Sequence, residues 1–310
     1  MNLYVYPTDH RWFNFLSQRP GTDEVNFWQP GGGAVFRRLQ PGELFLFRLK
    51  SPINMIAGGG FYVHSSLYPL DLAWQAFGEK NGTRTLEDLR KAIASYKGLP
   101  GVDSLPADAK IGCILLQRPF FWPPDLWLSV PPDYSRNLVQ GKRYDTASGA
   151  GRELYTAAAR NLSMTSGSRV AEPQVEQLVY GDPIAVKRRL GQGAFRVVIT
   201  DNYDRRCAVT GEKTLPVLQA AHILPVSRGG THRTDNGLLL RSDIHTLFDL
   251  GYVTVAPDHR FLVSKSLKEE YSNGRVYYEL HGREMRMPTW PEDRPSSEYL
   301  EWHNDVVYRR

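Results

Sequence analysis

Residues 206–255 read RCAVTGEKTLPVLQAAHILPVSRGGTHRTDNGLLLRSDIHTLFDLGYVTV, and the fold of the second half of the chain is decided there. Val217 to Leu224 is a short apolar run in which His222 is the one titratable side chain, and Pro225 closes it, a pattern that predicts a strand. A lone strand histidine is ordinarily structural. Past the Gly229-Gly230 turn and a second apolar run, Ser242 is placed to cap a helix whose first turns hold His245 and Asp249. Residues four apart share one helical face, so the imidazole and the carboxylate project side by side. That pair suits a divalent metal, and it would equally make a surface hydrogen bond.

The run AAHILP, the segment SRGGTHRTDNGLLL and the run SDIHTLFD together resemble the His-Asn-His (HNH) endonuclease motif. The resemblance is tight over 206–255 and looser through RLGQGAFRVVITDNYDRRCAVTG upstream and EYLEWHNDVVY downstream. Order, spacing and the Gly229-Gly230 turn all agree. The resemblance implies two strands and a helix around one metal ion, with His222 as the general base that activates water. It gives Asn236 the task of bracing the loop that holds this histidine, and it makes His245 and Asp249 metal ligands.

Two departures from the family pattern bear on the metal. Many members carry a metal-binding Asp or His directly before the base, where this chain has Ala221, which leaves His245 and Asp249 to share an ion with water and phosphate. Many members are also stapled by two CxxC pairs around zinc. Here Cys207-Ala208-Val209-Thr210 has no second cysteine, and a tetrahedral site needs four ligands, so no structural zinc is expected and hydrophobic packing takes its place. One divalent ion is the expected cofactor, Mg2+ or Mn2+ first by donor chemistry, with other transition metals open.

With 310 residues the chain is long enough for two domains, and its 41% hydrophobic and 23% charged composition is that of a soluble globular protein. No stretch approaches a membrane span, and MNLYVYPTDHRWF lacks a basic region followed by an apolar run, so the cytoplasm is the expected compartment. Cys113, in IGCILL, reads as a small buried apolar residue. The net charge of +5 favours a polyanionic partner without saying anything about fold.

The first 150 residues read as mostly strands, with runs at Leu3–Tyr6, Val35–Leu39, Glu43–Leu49, Asn54–His64 and Ile111–Leu116. Leu70, Trp74 and Phe77 recur at helical spacing, and Thr85 with Asp88 forms a capping-box signature before Leu86, Leu89 and Ile93. A further helix is expected over Arg152–Ala159. YVYPTDHRWFNFL, VNFWQP, LQPGELFLFRL and INMIAGGGFYVHSS make this part similar to the PUA-like superfamily that includes EVE, ASCH, YTH and SRA domains. That resemblance implies a small twisted barrel with an aromatic pocket for a modified base, for which Trp28, Tyr62 and Trp12 are the candidate rings. Stacking on a base is worth about 1–3 kcal/mol, enough to offset much of the cost of unstacking it from a duplex.

After the small polar stretch NLSMTSGSR, Lys187, Arg188 and Arg189, then Arg196 and Arg241, are candidate DNA contacts. A helix follows in which Phe195, Ile199 and Tyr203 line one side, and Arg275–His281 reads as a strand. The sequence therefore predicts an α+β protein: a PUA-like β-barrel with packing helices over 1–160, a linker over 161–182 and an HNH ββα-metal nuclease domain over 183–310. By resemblance the combination is that of modification-dependent restriction endonucleases, with modified cytosine among the bases such a domain would read. The expected partner is double-stranded DNA carrying modified bases, cut to leave a 5′ phosphate, with no membrane partner and with a homodimer to serve double-strand cleavage. An RNA-directed nuclease with the same catalytic residues stays open, as does a catalytically silent reader of modified DNA, the latter motivated by Ala221.

Overall fold

Leu3 and Val5 turn to one face of strand β1 (Asn2–Thr8) and Tyr4 and Tyr6 to the other, and this alternation organises the first unit. The computed structural model describes residues 1–31, 33–135, 138–165 and 190–310. The chain divides into two units, Met1–Val186 and Lys187–Arg310.

In the first unit, β1 is followed by helix α1 (His10–Ser17) and by β2 (Glu24–Gln29), β3 (Leu44–Leu49) and the long β4 (Met55–Pro69). Helices α2 (Leu70–Phe77) and α3 (Leu86–Tyr96) lead to β5 (Lys110–Phe121), β6 (Leu128–Ser129), β7 (Lys142–Asp145) and helix α4 (Gly149–Thr165). The strands form one mixed sheet in the order β2-β5-β4-β3-β1-β7, with β6 on β4; β1 and β3 run parallel and the other pairs are antiparallel. Tyr4, Phe27, Phe45, Phe47 and Tyr62 fill one face of this sheet with Trp12 and Phe13 of α1, while Leu3, Val5, Leu44 and Leu46 meet Leu154 and Ala158 of α4 on the other.

The end strands of the sheet are β2 and β7, and among the described residues no backbone pairing joins them. Side chains link β1 to β2: the Tyr6 ring meets Phe27 edge-on at 5.1 Å, and Gln29 Nε2 donates to Tyr6 Oη at 2.7 Å. Two expectations need correction here. Val35–Leu39 is irregular rather than a strand, although Phe36 and Leu39 are buried in the aromatic core. The helix expected over Arg152–Ala159 extends through Thr165, so residues 161–165 are helical, and buried Asn161 donates to the Leu126 carbonyl at 2.7 Å. The rest of the 161–182 segment lies outside the described residues.

The second unit opens with α5 (Gln192–Asn202), followed by β8 (Leu218–His222), β9 (Gly237–Arg241), α6 (Ser242–Asp249), β10 (Val253–Val255) and β11 (Phe261–Val263). Short helices α7 (Ser266–Tyr271) and α8 (Arg275–Tyr278) and the closing helix α9 (Ser297–Val306) complete it. The stretch read as a strand at Arg275–His281 is thus helical at its start; the amides of Tyr277 and Tyr278 both bond back to the Gly274 carbonyl, a local bond pattern that outweighs the β propensity of Val and Tyr.

Strands β8 and β9 are antiparallel, with Leu218 opposite Arg241 and His222 opposite Gly237. Cys207 is fully buried, and its sulfur accepts the backbone N–H of Thr210 at 3.5 Å and of Arg241 at 3.3 Å. His303 of α9 ties three elements together: its ring stacks on Phe248 of α6 at 3.7 Å, Nε2 donates to the Phe248 carbonyl at 3.1 Å, and Nδ1 accepts from the Thr254 hydroxyl at 2.8 Å. Among the described residues no helix is long and apolar enough to cross a membrane.

Candidate active site

His222 is the last residue of β8, and its ring lies flat on Phe195 of α5, with centroids 4.1 Å apart and planes 9° from parallel. This contact depends on the residue opposite. A Cβ at Gly237 would stand 2.4 Å from Ile199 and 2.9 Å from Phe195, so a larger residue there would push α5, and the ring it carries, off the sheet. His222 Nε2 is 2.9 Å from Nδ1 of His232. Burial, then the neighbouring charges of His232 and His245, lower the pKa of His222 to about 4, so the ring is neutral at pH 7.

The loop from Ile223 to Asn236 is closed by one side chain. Asn236, fully buried, accepts the Leu224 N–H on Oδ1 at 2.8 Å and donates through Nδ2 to the carbonyls of Leu224 at 2.9 Å and Thr231 at 3.0 Å. The two glycines of the turn differ in their reasons. Gly229 has φ +92°, while a Cβ on Gly230 would lie 1.9 Å from the Leu224 carbonyl oxygen.

Helix α6 presents His245 and Asp249 on one face, with His245 Nε2 and Asp249 Oδ2 3.4 Å apart. Gln219 of β8 holds the other side of the ring, its Oε1 accepting from His245 Nδ1 at 2.7 Å; when the ring is neutral its proton therefore sits on Nδ1 and the Nε2 lone pair faces the carboxylate. Two lone-pair atoms so placed suit a shared cation: donors each about 2.1 Å from one ion stand about 3.0–3.4 Å apart. The oxygen acceptor behind the ring matches the support that metal-binding histidines ordinarily receive. The Asp249 carboxyl is raised in pKa by partial desolvation, with the His245 charge opposing. Among the described residues no three His, Cys, Asp or Glu side chains cluster as a metal site, so His245 and Asp249 would leave most of the coordination to water and phosphate oxygens. Ala221 offers nothing, being fully buried.

The cap of α6 differs from expectation. Ser242 is the first helical residue, Arg241 is the N-cap, and no side chain caps the helix; the Arg241 guanidinium is instead paired with Asp243 at 2.7 and 2.8 Å. Arg241 is therefore already committed to a carboxylate within the protein, and Arg196 is half-buried on α5. Lys187, Arg188 and Arg189 lie outside the described residues.

In the first unit Trp12 and Tyr62 belong to one buried aromatic core, and Trp28 packs against it. Trp12 packs against Phe27 and Phe47, Tyr62 against Phe36, and both are buried in the core. Trp28 is partly buried, with Nε1 donating to the Asn81 carbonyl at 2.9 Å and its ring edge-on to Tyr96. Sequence reading passed over His232 and Gln219. Each is a polar residue with no periodic signal, brought to a site histidine only by the closing of the loop or by the neighbouring strand.

Residues 207–256 match the family model described as HNH endonuclease, and the strand–loop–strand–helix segment that holds His222, Asn236, His245 and Asp249 lies within that match. Among solved structures, the chain is similar to one titled "Modification dependent TagI restriction endonuclease", at 14% identity and a TM-score of 0.28, over 94% of this chain and 78% of that one. A second, titled "Structure of the Type IV phosphorothioation-dependent restriction endonuclease ScoMcrA", aligns at 14% identity and a TM-score of 0.19, over 78% of this chain and 46% of that one. No curated protein matches the chain significantly.

Proposed function

We propose that the chain is a metal-dependent HNH endonuclease that hydrolyses DNA phosphodiesters, with the first unit selecting DNA that carries modified bases. The observation that carries the nuclease reading is the arrangement inside the family match. A neutral His222 ends one strand, Asn236 locks the following loop, and His245 and Asp249 stand 3.4 Å apart on the helix after the second strand.

In this reading His222 takes a proton from water, whose oxygen attacks phosphorus in line. The P–O3′ bond breaks, leaving a 5′ phosphate and a 3′ hydroxyl. His245 and Asp249 would hold a divalent ion, which supplies Lewis-acid stabilisation of the developing phosphate charge and of the leaving oxygen. Asn236 acts at one remove by fixing the loop beside the base. The selection of modified DNA rests on the PUA-like resemblance, and Trp28 is the ring that stays in the proposal, since Trp12 and Tyr62 are core residues. Lys187, Arg188 and Arg189 are proposed as phosphate contacts, which would weaken binding to all DNA alike when neutralised.

The test is cleavage of plasmids bearing defined cytosine or adenine modifications, each beside its unmodified match, with Mg2+ or Mn2+ and with wild type or His222→Ala. Metal-dependent cutting of modified DNA is expected, with His222→Ala slower by about 10²- to 10⁴-fold while still binding. Cutting of structured RNA in preference to DNA would replace the substrate, and binding of modified DNA with no nicking in any ion would make the chain a silent reader.

A further inference from the structure

Among the described residues His232 is the one side chain that hydrogen-bonds His222, and the atoms involved restrict what the pair can do. The 2.9 Å contact joins Nε2 of His222 to Nδ1 of His232, so one ring donates and the other accepts. If His232 donated, the proton of neutral His222 would sit on its Nδ1 and its lone pair would be turned toward His232, leaving no nitrogen to take a proton from water. If His222 donates, its lone pair lies on Nδ1. Among the described residues no hydrogen bond occupies that nitrogen. The stack on Phe195 fixes the plane of the ring but leaves the tautomer undetermined, because a flat apolar contact does not distinguish the two nitrogens.

We propose that His232 is a positioning residue for the base: it accepts the Nε2–H of His222 on its own Nδ1, and so presents the lone pair of His222 Nδ1 to the attacking water. The proposal rests on the reading in which His222 is the general base. The water proton passes to His222 Nδ1, the water oxygen forms the bond to phosphorus as the bond to O3′ breaks, and the departing oxygen takes a proton from solvent. The imidazolium so formed shares its charge through Nε2–H with His232, as a base held by a third group does in hydrolytic triads. His232 is itself anchored on either side. Its carbonyl accepts the Leu190 N–H at 3.1 Å, and the carbonyl of adjacent Thr231 accepts from Asn236 at 3.0 Å. The buried asparagine therefore holds the loop carrying His232 as well as the backbone at Leu224.

Two measurements on the full chain test this. Long-range ¹H–¹⁵N correlation spectra of ¹⁵N-histidine-labelled protein at pH 7 should show His222 protonated on Nε2 and bare on Nδ1, a preference that His232→Ala loses. In single-turnover cleavage at saturating DNA and metal, His232→Ala should be slower by about 10- to 100-fold, a share of the usual 10²- to 10⁴-fold general-base contribution, with DNA affinity unchanged. His232→Asn, whose amide oxygen can accept the same bond, should recover most of that rate, which separates positioning from a folding defect. The proposal is overturned if wild-type His222 carries its proton on Nδ1, or if His232→Ala cuts like wild type while His222→Ala does not. It is overturned equally if His232→Ala restores full rate at higher metal concentration, since His232 would then be a ligand. Wild-type cutting by His222→Ala would remove the base assignment itself, and the proposal with it.

Discussion

Replacing Asn236 with alanine removes three hydrogen bonds from a fully buried position: one accepted from Leu224 N–H, and two donated to the carbonyls of Leu224 and Thr231. At a net worth of about 1 kcal/mol each, their loss should destabilise the second unit by about 3 kcal/mol. Asn236→Asp is the sharper perturbation because it keeps the shape. The carboxylate still accepts from Leu224 N–H, but its other oxygen is set against two carbonyl oxygens where the amide had placed a donor. Burial and that repulsion raise the pKa of the new carboxyl in the folded state above its unfolded value of about 3.9. Folded variant then binds a proton more tightly than unfolded variant, so its deficit relative to wild type is smallest at low pH and grows as pH rises through the raised pKa. Urea unfolding at pH 5 and pH 8 measures this difference. Native-state hydrogen exchange at the Leu224 amide supplies the local reading, and the alanine variant should exchange there roughly 5- to 150-fold faster, the equivalent of about 1–3 kcal/mol for an orphaned buried donor. Leu224 exchange within a factor of about two of wild type in the alanine variant would refute the brace, since an amide with a lost acceptor cannot keep its protection.

Two other outcomes are expected. Thermal melts of wild type should shift upward with added Mn2+ and return with chelator, because an ion that binds the folded state alone stabilises it by mass action, whereas Asp249→Ala should show a smaller shift and need more metal for cleavage; identical titrations would remove Asp249 from the metal site. Buried His303, whose pKa is lowered to about 4 by burial, binds a proton near 6.5 when unfolded, so its contribution is whole above about pH 6.5 and is lost as pH falls toward 4, on the order of 3 kcal/mol. His222 has the same sign, so the measurement is the difference in pH slope between wild type and His303→Gln, which retains a donor for the Phe248 carbonyl; equal slopes would contradict the assignment.

The parts of the fold that were legible in the sequence are those in which the signal is local. The helix starting after Thr85 is capped as its spacing implies, with the Thr85 hydroxyl accepting the Asp88 N–H, and His222, His245 and Asp249 fall on the strand and helix that their flanking residues dictate. Helix α1 went unread although Asp9 announces it, its carboxylate accepting the amides of Arg11 and Trp12. Val35–Leu39 failed for the opposite reason. Its apolar residues are buried by packing alone, without a partner strand. At the site, no pattern in the chain reveals that His232 meets His222 or that Gln219 stands behind His245, because both contacts arise from side chains 10 and 26 residues apart. The candidate pocket rings were ambiguous for a similar reason. An aromatic residue in a strand reads alike whether it faces a ligand or the core, and Trp12 and Tyr62 face the core.

Cys207, held by two N–H···S bonds at the base of β9, and Cys113, within β5, are the chain's two thiols, and both are buried. One falls in each unit, so each is a chemical clock for its own surroundings. A disulfide-exchange reagent can reach either sulfur only when the structure around it opens, since modification requires a solvent-accessible thiolate. The rates at which the two sites are labelled therefore report the opening free energies of the two units separately, in one unmodified protein. Read in the presence and absence of DNA or metal, they would show which unit each ligand closes.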